Sequence, residues 1–174
     1  NQSYWWDPTI NSHDLCEGET PLTVTAIDSC SGANVDISFL LFLDLNGDGF
    51  METVVNSNNL PAPGKVNFNN ATNQNFSGGI PQDFDHRPVA PNDIYRWSMH
   101  QSVNGMTRTA SVQWKTFSQL PNPNSTNPTV QKFGQPGVAP QLPYGKHKIK
   151  WTFKDGCGNE DYCEYNFEVK DCKP

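Results

Sequence analysis

Oxygen-bearing side chains are spaced for a cation in Asp44-Leu45-Asn46-Gly47-Asp48-Gly49-Phe50-Met51-Glu52. Asp44, Asn46, Asp48 and Glu52 occupy positions 1, 3, 5 and 9 of this loop, Gly49 at position 6 permits a sharp turn, and Phe50 at position 7 can offer its backbone carbonyl. Hard Ca²⁺ takes about six to eight oxygens, and this spacing wraps them around one point. An EF-hand loop places a bidentate acid at position 12, which here is Val55. A metal-free Asn/Asp/Gly hairpin turn is the competing reading, since Asp-Gly is a favoured turn pair. Against it, an empty loop crowds the carboxylates of Asp44, Asp48 and Glu52. The expected ion is Ca²⁺ and its role structural, because every ligand comes from one hairpin.

Other chemistry is thinly represented. Asp83, Asp85, His86 and Arg87 sit together between prolines and read as a self-paired loop rather than an acid/base site. His13, His100 and His147 are isolated in the chain, and no serine or cysteine lies in a nucleophile motif, so no enzyme is expected. Tyr4, Trp5 and Trp6 form a terminal aromatic cluster that suits either an interface or a sugar-stacking platform. Trp97, Trp114 and Trp151 fall within strand patterns and are assigned to the core.

The chain carries five cysteines, Cys16, Cys30, Cys157, Cys163 and Cys172, at spacings that suit no zinc site. Disulfides in an oxidising compartment are the expectation, and the odd cysteine is either free or paired outside this sequence. Cys30 and Cys157 each stand in a polar turn, and joining them ties the first third to the last hairpin, leaving Cys16 with Cys163 as a second bridge. Cys16 with Cys30 and Cys157 with Cys163 is the alternative, and the sequence does not choose.

The elements that must position these groups are strands. Leu22 to Ala26 alternates apolar and hydroxyl residues, and Ile37 to Leu43 is apolar on both faces, as a covered central strand requires. Met51 to Val55 returns across the calcium loop. Ile94 to His100 and Thr107 to Gln119 are two further candidates, the latter with Val112 and Trp114 on one side and Gln113 and Lys115 on the other. His147 to Lys154 alternates strictly, with Ile149, Trp151 and Phe153 inward and lysines outward, and Cys163 to Val169 completes a terminal hairpin. No window shows helical periodicity. The reading is one all-β domain over residues 1–174, with 1–15 an arm or linker and 56–92 and 118–143 long loop insertions.

Composition narrows the partners. With 12 Lys+Arg against 18 Asp+Glu, a net charge of -6 and no concentrated basic face, nucleic acid is excluded as an expected partner. No apolar run is long enough to span a membrane as a helix, and the first residue is Asn, so a mature or excised piece without membrane insertion is expected.

The ending Leu142 to Phe153, followed by Asp155-Gly156-Cys157-Gly158-Asn159 and Cys163 to Val169, resembles the terminal strands of HYR-type immunoglobulin-like domains. The acid at position 9 of the Asp44 loop resembles calcium hairpins of integrin-type propeller repeats. Together with the turn at Cys30, these features resemble modules of giant, repeat-built surface proteins of Bacteroidota-type bacteria, many exported by the type IX system. The resemblance implies an immunoglobulin-like antiparallel β-sandwich at the cell surface or in an extracellular filament. It further implies a non-catalytic role in structure or adhesion, with neighbouring domains or copies of the same protein as partners. The alternative is a carbohydrate-binding module of a secreted hydrolase, with surface glycans as ligand.

Overall fold

The structure, a computed structural model, describes residues 17–44, 48–51, 53–60, 96–143 and 145–170. The described strands are β1 (Glu17–Glu19), β2 (Leu22–Ile27), β3 (Val35–Leu43), β4 (Thr53–Asn56), β5 (Arg96–Asn104), β6 (Thr107–Lys115), β7 (Gln141–Pro143), β8 (Gly145–Asp155) and β9 (Glu160–Val169). One helix, α1 (Pro128–Phe133), and a short 3-10 turn (Phe117–Gln119) lie between β6 and β7. The chain is an all-β sandwich of antiparallel sheets, one ordered β2-β6-β5 and the other β4-β3-β8-β9, with β1 and β7 paired separately.

Alternation of side chains decides which face each strand buries. Along β3, Val35, Ile37, Phe39, Leu41 and Leu43 are buried while the residues between them are not. Across the ladder Phe39 faces Trp151 and Leu41 faces Ile149, so β8 presents its own alternating set to the same core. The Phe39 and Trp151 rings meet edge to face with centroids 5.5 Å apart, as do Trp97 and Trp114 in the other sheet. Such contacts add about 0.5–1.5 kcal/mol each beyond the burial itself. The three tryptophans expected in the core are there, at 5 % exposure or less.

Strand bounds shift where pattern alone was ambiguous. β6 stops at Lys115 rather than Gln119, because Phe117 to Gln119 curl into a 3-10 turn closed by a Thr116–Gln119 capping box. β5 begins at Arg96 and runs on to Asn104, where a Gly105-Met106 turn returns the chain. The stretch read as a structureless insertion over 118–143 is built. Asn127 caps α1 by accepting from the Thr129 and Val130 N–H groups, Pro128 fills the first turn, and Gly134 closes it at φ +72. Val138 then exchanges two backbone hydrogen bonds of 2.9 Å with Trp114, stitching the segment to β6. The first part of the other insertion, 56–60, carries a turn after β4; the rest of 56–92 lies outside the described residues, as does the arm 1–15.

β1 pairs with β7 and the end of β9 pairs with the start of β8, so both flank the β7–β8 junction at one end of the sandwich. The β3–β4 loop is at that same end. The turns after β2, β5 and β8 are at the opposite end.

Candidate functional site

Two constellations carry the sequence-derived site residues, one at each end. At the β3–β4 end, Asp44 follows the last residue of β3 and is only 2 % exposed. Its Oδ2 accepts the Gly49 N–H at 2.8 Å, and the Asp48 Oδ1 accepts the Phe50 N–H at 2.8 Å. Gly49, directly after Asp48, takes φ +93, a conformation that a Cβ opposes, and its N–H reaches back to Asp44. The Asp44 N–H donates to Nδ1 of the fully buried His147 on β8 at 3.2 Å, so the start of the loop is fastened to the neighbouring strand. That bond fixes the tautomer: Nδ1 accepts and the proton sits on Nε2.

Asp44, Asp48 and Phe50 are thus brought to one loop, while Asn46 and Glu52 lie outside the described residues. Among the described residues there is no cluster of three or more His, Cys, Asp or Glu groups placed for a metal. The donor chemistry suits a hard cation: two carboxylates four residues apart in one loop, each accepting an N–H of that loop. Asp44 and Asp48 would hold Ca²⁺ through side-chain oxygens, and Phe50 through its carbonyl.

At the other end, Cys30 and Cys157 form a disulfide with S–S 2.02 Å and Cα–Cα 7.0 Å, joining residues 127 apart in sequence. Both turns are built alike. The Asp28 Oδ1 accepts the N–H groups of Cys30 (2.8 Å) and Ser31 (2.5 Å), while the Asp155 Oδ1 accepts those of Cys157 (2.9 Å) and Asn159 (2.8 Å). Each acid therefore presents its cysteine. The turns approach closely at Gly156, where a Cβ would stand 2.8 Å from the movable Nδ2 of Asn34 and 3.5 Å from the Ser31 Cβ.

Hydrogen bonds from Ser31 hold the Asp28 carboxyl below its ordinary range, and those from Asn159 do the same for Asp155. The Asp155 charge opposes the shift at Asp28, so the two carboxylates sense each other across the bridge. Beside them opens a cleft of about 310 Å³ lined by Ala26, Val35 and Phe153 and by Asp28, Glu160 and Asp161.

The second expected bridge is not formed. Cys163 is a free, exposed thiol on β9, opposite Trp151, and Cys157 is already taken by Cys30. The pairing of Cys163 with Cys16 followed only from the Cys30–Cys157 choice, and β9 holds Cys163 in register on the edge of the sheet. Cys16 and Cys172 lie outside the described residues, as do Tyr4, Trp5 and Trp6 and the Asp83 to Arg87 cluster.

One chemically unusual group lies on the face of β6 opposite Trp114. Lys115 is fully buried there. Its Nζ donates to the Phe133 carbonyl at the end of α1 (2.7 Å) and meets the His100 Nδ1 at 3.1 Å. Burial pushes its pKa down to about 8. Desolvation, then the Lys115 charge, hold His100 below its ordinary value. The signal that was available is Asn127-Pro128, a helix start whose helix covers this part of the sheet.

Among the described residues no helix is long and apolar enough to cross a membrane. Comparison with family models, with curated proteins and with solved structures gives no match.

Proposed function

We propose that this chain is a non-catalytic extracellular module, immunoglobulin-like in architecture and stabilised by calcium at the Asp44–Glu52 hairpin. It serves structure or adhesion in a multi-domain surface protein or filament. The observation that carries the reading is the Cys30–Cys157 bridge, which clamps two exposed turns across the sandwich. A covalent staple in so exposed a place belongs to an oxidising compartment, where it persists.

Strand order supports the immunoglobulin-like assignment. In that fold one sheet runs B-E-D and the other C′-C-F-G. Reading β2, β3, β4, β5, β6, β8 and β9 as B, C, C′, D, E, F and G gives both orders found here. The bridge then joins the B–C and F–G loops, beside the D–E turn. These loops stand opposite the end where β1 and β9 meet the β7–β8 junction, so they face away from any chain that continues there. Neighbouring domains or copies of the same protein are the partners this arrangement serves.

Calcium is supported by the buried Asp44 and by the Gly49 turn, whose N–H, one residue after Asp48, is bonded to the Asp44 carboxylate. With free calcium at about 100 times its dissociation constant, binding adds about 2.7 kcal/mol to stability. The test is thermal melting with added calcium and again with EDTA. A clear upward shift with calcium is expected, with one ion per chain by elemental analysis. An unchanged melting temperature with no bound calcium overturns the calcium part of the proposal.

A further inference from the structure

β9 is an edge strand of unusual openness. Among the described residues it has β8 on one side and no strand on the other, while its ladder to β8 runs one-to-one over ten residues without a bulge. Edge strands are normally protected by shortness, a bulge, proline or charged side chains, lysine above all, and the charges of β9 are all acidic. The opposite edge of the same sheet, β4, is four residues long. β9 contains neither proline nor lysine.

Both of its faces are uncovered over Glu160 to Asn166. On the core side, Trp151, Ile149 and His147 of β8 are fully buried, yet their β9 partners Cys163, Tyr165 and Phe167 are not. The three-stranded sheet stops short of β9, and Tyr165 remains 37 % exposed. On the outer side stand Glu160, Glu164 and Glu168, each in register with a lysine of β8: Lys154, Lys150 and Lys146.

The backbone shows which groups face the open side. The Tyr162 N–H donates to its neighbour's Asp161 Oδ1 at 2.8 Å rather than to β8. Because antiparallel ladders alternate, the N–H and C=O groups of Glu164, Asn166 and Glu168 share the outward direction of Tyr162. Asp161 closes the beginning of the edge, and the five residues from Glu164 to Glu168 remain as a template of about 17 Å.

We propose that β9 is a strand-addition site for a separate polypeptide segment in which lysines or arginines alternate with apolar residues. Main-chain bonds to Glu164, Asn166 and Glu168 would supply affinity, as in other cases of β-augmentation. Lysines of the added strand would meet the open side of the glutamate row, as those of β8 meet its other side. Its apolar residues would extend the sheet beyond Tyr165 and Phe167. The acidic row disfavours a symmetric β9–β9 pair, since like charges would lie opposite each other. This site is separate from the calcium hairpin and does not depend on it.

The probe is a synthetic peptide with the β8 sequence of residues 145–155, the pattern already matched to β9. Amide exchange on the whole chain is expected to slow at Glu164, Asn166 and Glu168, while the amides between them, already bonded to β8, change little. Asn166→Pro removes one outward N–H and should weaken binding by about tenfold or more, whereas Asn166→Thr should retain it. Should Asn166→Pro lose the β8–β9 ladder, the paired variant Glu164→Lys/Glu168→Lys decides. It should release the lysine peptide and accept one with glutamates in place of the lysines. Equal binding of a scrambled peptide, binding indifferent to both variants, or no protection at the three amides overturns the proposal.

Discussion

At one end of the sandwich the turns after β2 and β8 are joined covalently through Cys30 and Cys157, whereas at the other the β3–β4 loop is gathered onto the carboxylates of Asp44 and Asp48. The local device is the same. Asp28, Asp48 and Asp155 each accept the N–H two residues onward, and each thereby fixes a turn. What differs is how each turn is held in place. At the disulfide end a bond keeps Asp28 and Asp155 close despite their repulsion. At the loop end N–H groups of the loop itself hold the acids, and the calcium proposed there would add a counter-charge. One end is therefore closed by a covalent bond, and the other by hydrogen bonds that the proposed cation would reinforce.

The strongest way to break this contrast is the double variant Cys30→Ala/Cys157→Ala. Closing a loop of 127 residues restricts the unfolded chain. In the chain-entropy model its removal costs about 5 kcal/mol. Denaturant unfolding under non-reducing conditions measures it, and a loss below about 1 kcal/mol would show that the bridge does not restrain the unfolded chain. Its response to calcium should stay intact. If the double variant no longer gains stability from calcium, the two ends are coupled and the contrast fails.

Asp44→Ala attacks the other end. It removes the acceptor of the Gly49 N–H and one proposed calcium ligand, with an expected cost of about 1–3 kcal/mol without calcium. The calcium-dependent increment of about 2.7 kcal/mol should vanish as well. Melting with and without EDTA separates the two parts. A calcium response that survives this substitution would place the ion elsewhere.

The same contrast explains what could be read from sequence. Period-two alternation in Leu22 to Ala26 and His147 to Lys154 reports the inward faces directly, because one core covers both, whereas Ile37 to Leu43, apolar on both faces, marks a central strand without telling which face meets the core. The Cys30–Cys157 pair was one of two legible options, since a polar turn around each cysteine shows that it is presented but not to what. Cys163 shows the limit: its alternation with Tyr165 and Phe167 marks a core-side row, but not that the opposing sheet ends before reaching it. Lys115 shows the opposite limit. Nothing in Ser111-Val112-Gln113-Trp114-Lys115 announces that α1, more than ten residues onward, covers the face opposite Trp114 and the lysine on it.

Lys115 gives a smaller test, away from both ends. Its folded-state pKa of about 8 lies below the ordinary 10.5, so between these values the unfolded chain binds more protons. Stability should therefore rise with pH from about 8 toward 10.5, as the cost of burying the ammonium is relieved. Lys115→Met should remove that rise, and the difference between the two melting profiles isolates it from other lysines. A Cys163→Ser background keeps the free thiol from attacking the bridge at high pH. Parallel profiles for the two proteins would mean that the amine reaches solvent.

The smallest effect is expected at the exposed acids of the disulfide end. Asp28 and Asp155 are held below their ordinary value of 3.8, chiefly by hydrogen bonds from Ser31 and Asn159. Protonation is then harder in the folded chain than in the unfolded one. Their contribution is present above pH 3.8 and is lost as pH falls through the depressed folded values. Asp28→Asn/Asp155→Asn keeps both acceptors and both turns while removing the charge. The variant should lose less stability than the native chain between neutral pH and strong acid, measured by circular dichroism with the bridge intact. Superimposable acid limbs would show that these carboxylates act only as hydrogen-bond acceptors. The disulfide end would then have turned its charges into geometry, leaving charge as the working variable at the Asp44 loop alone.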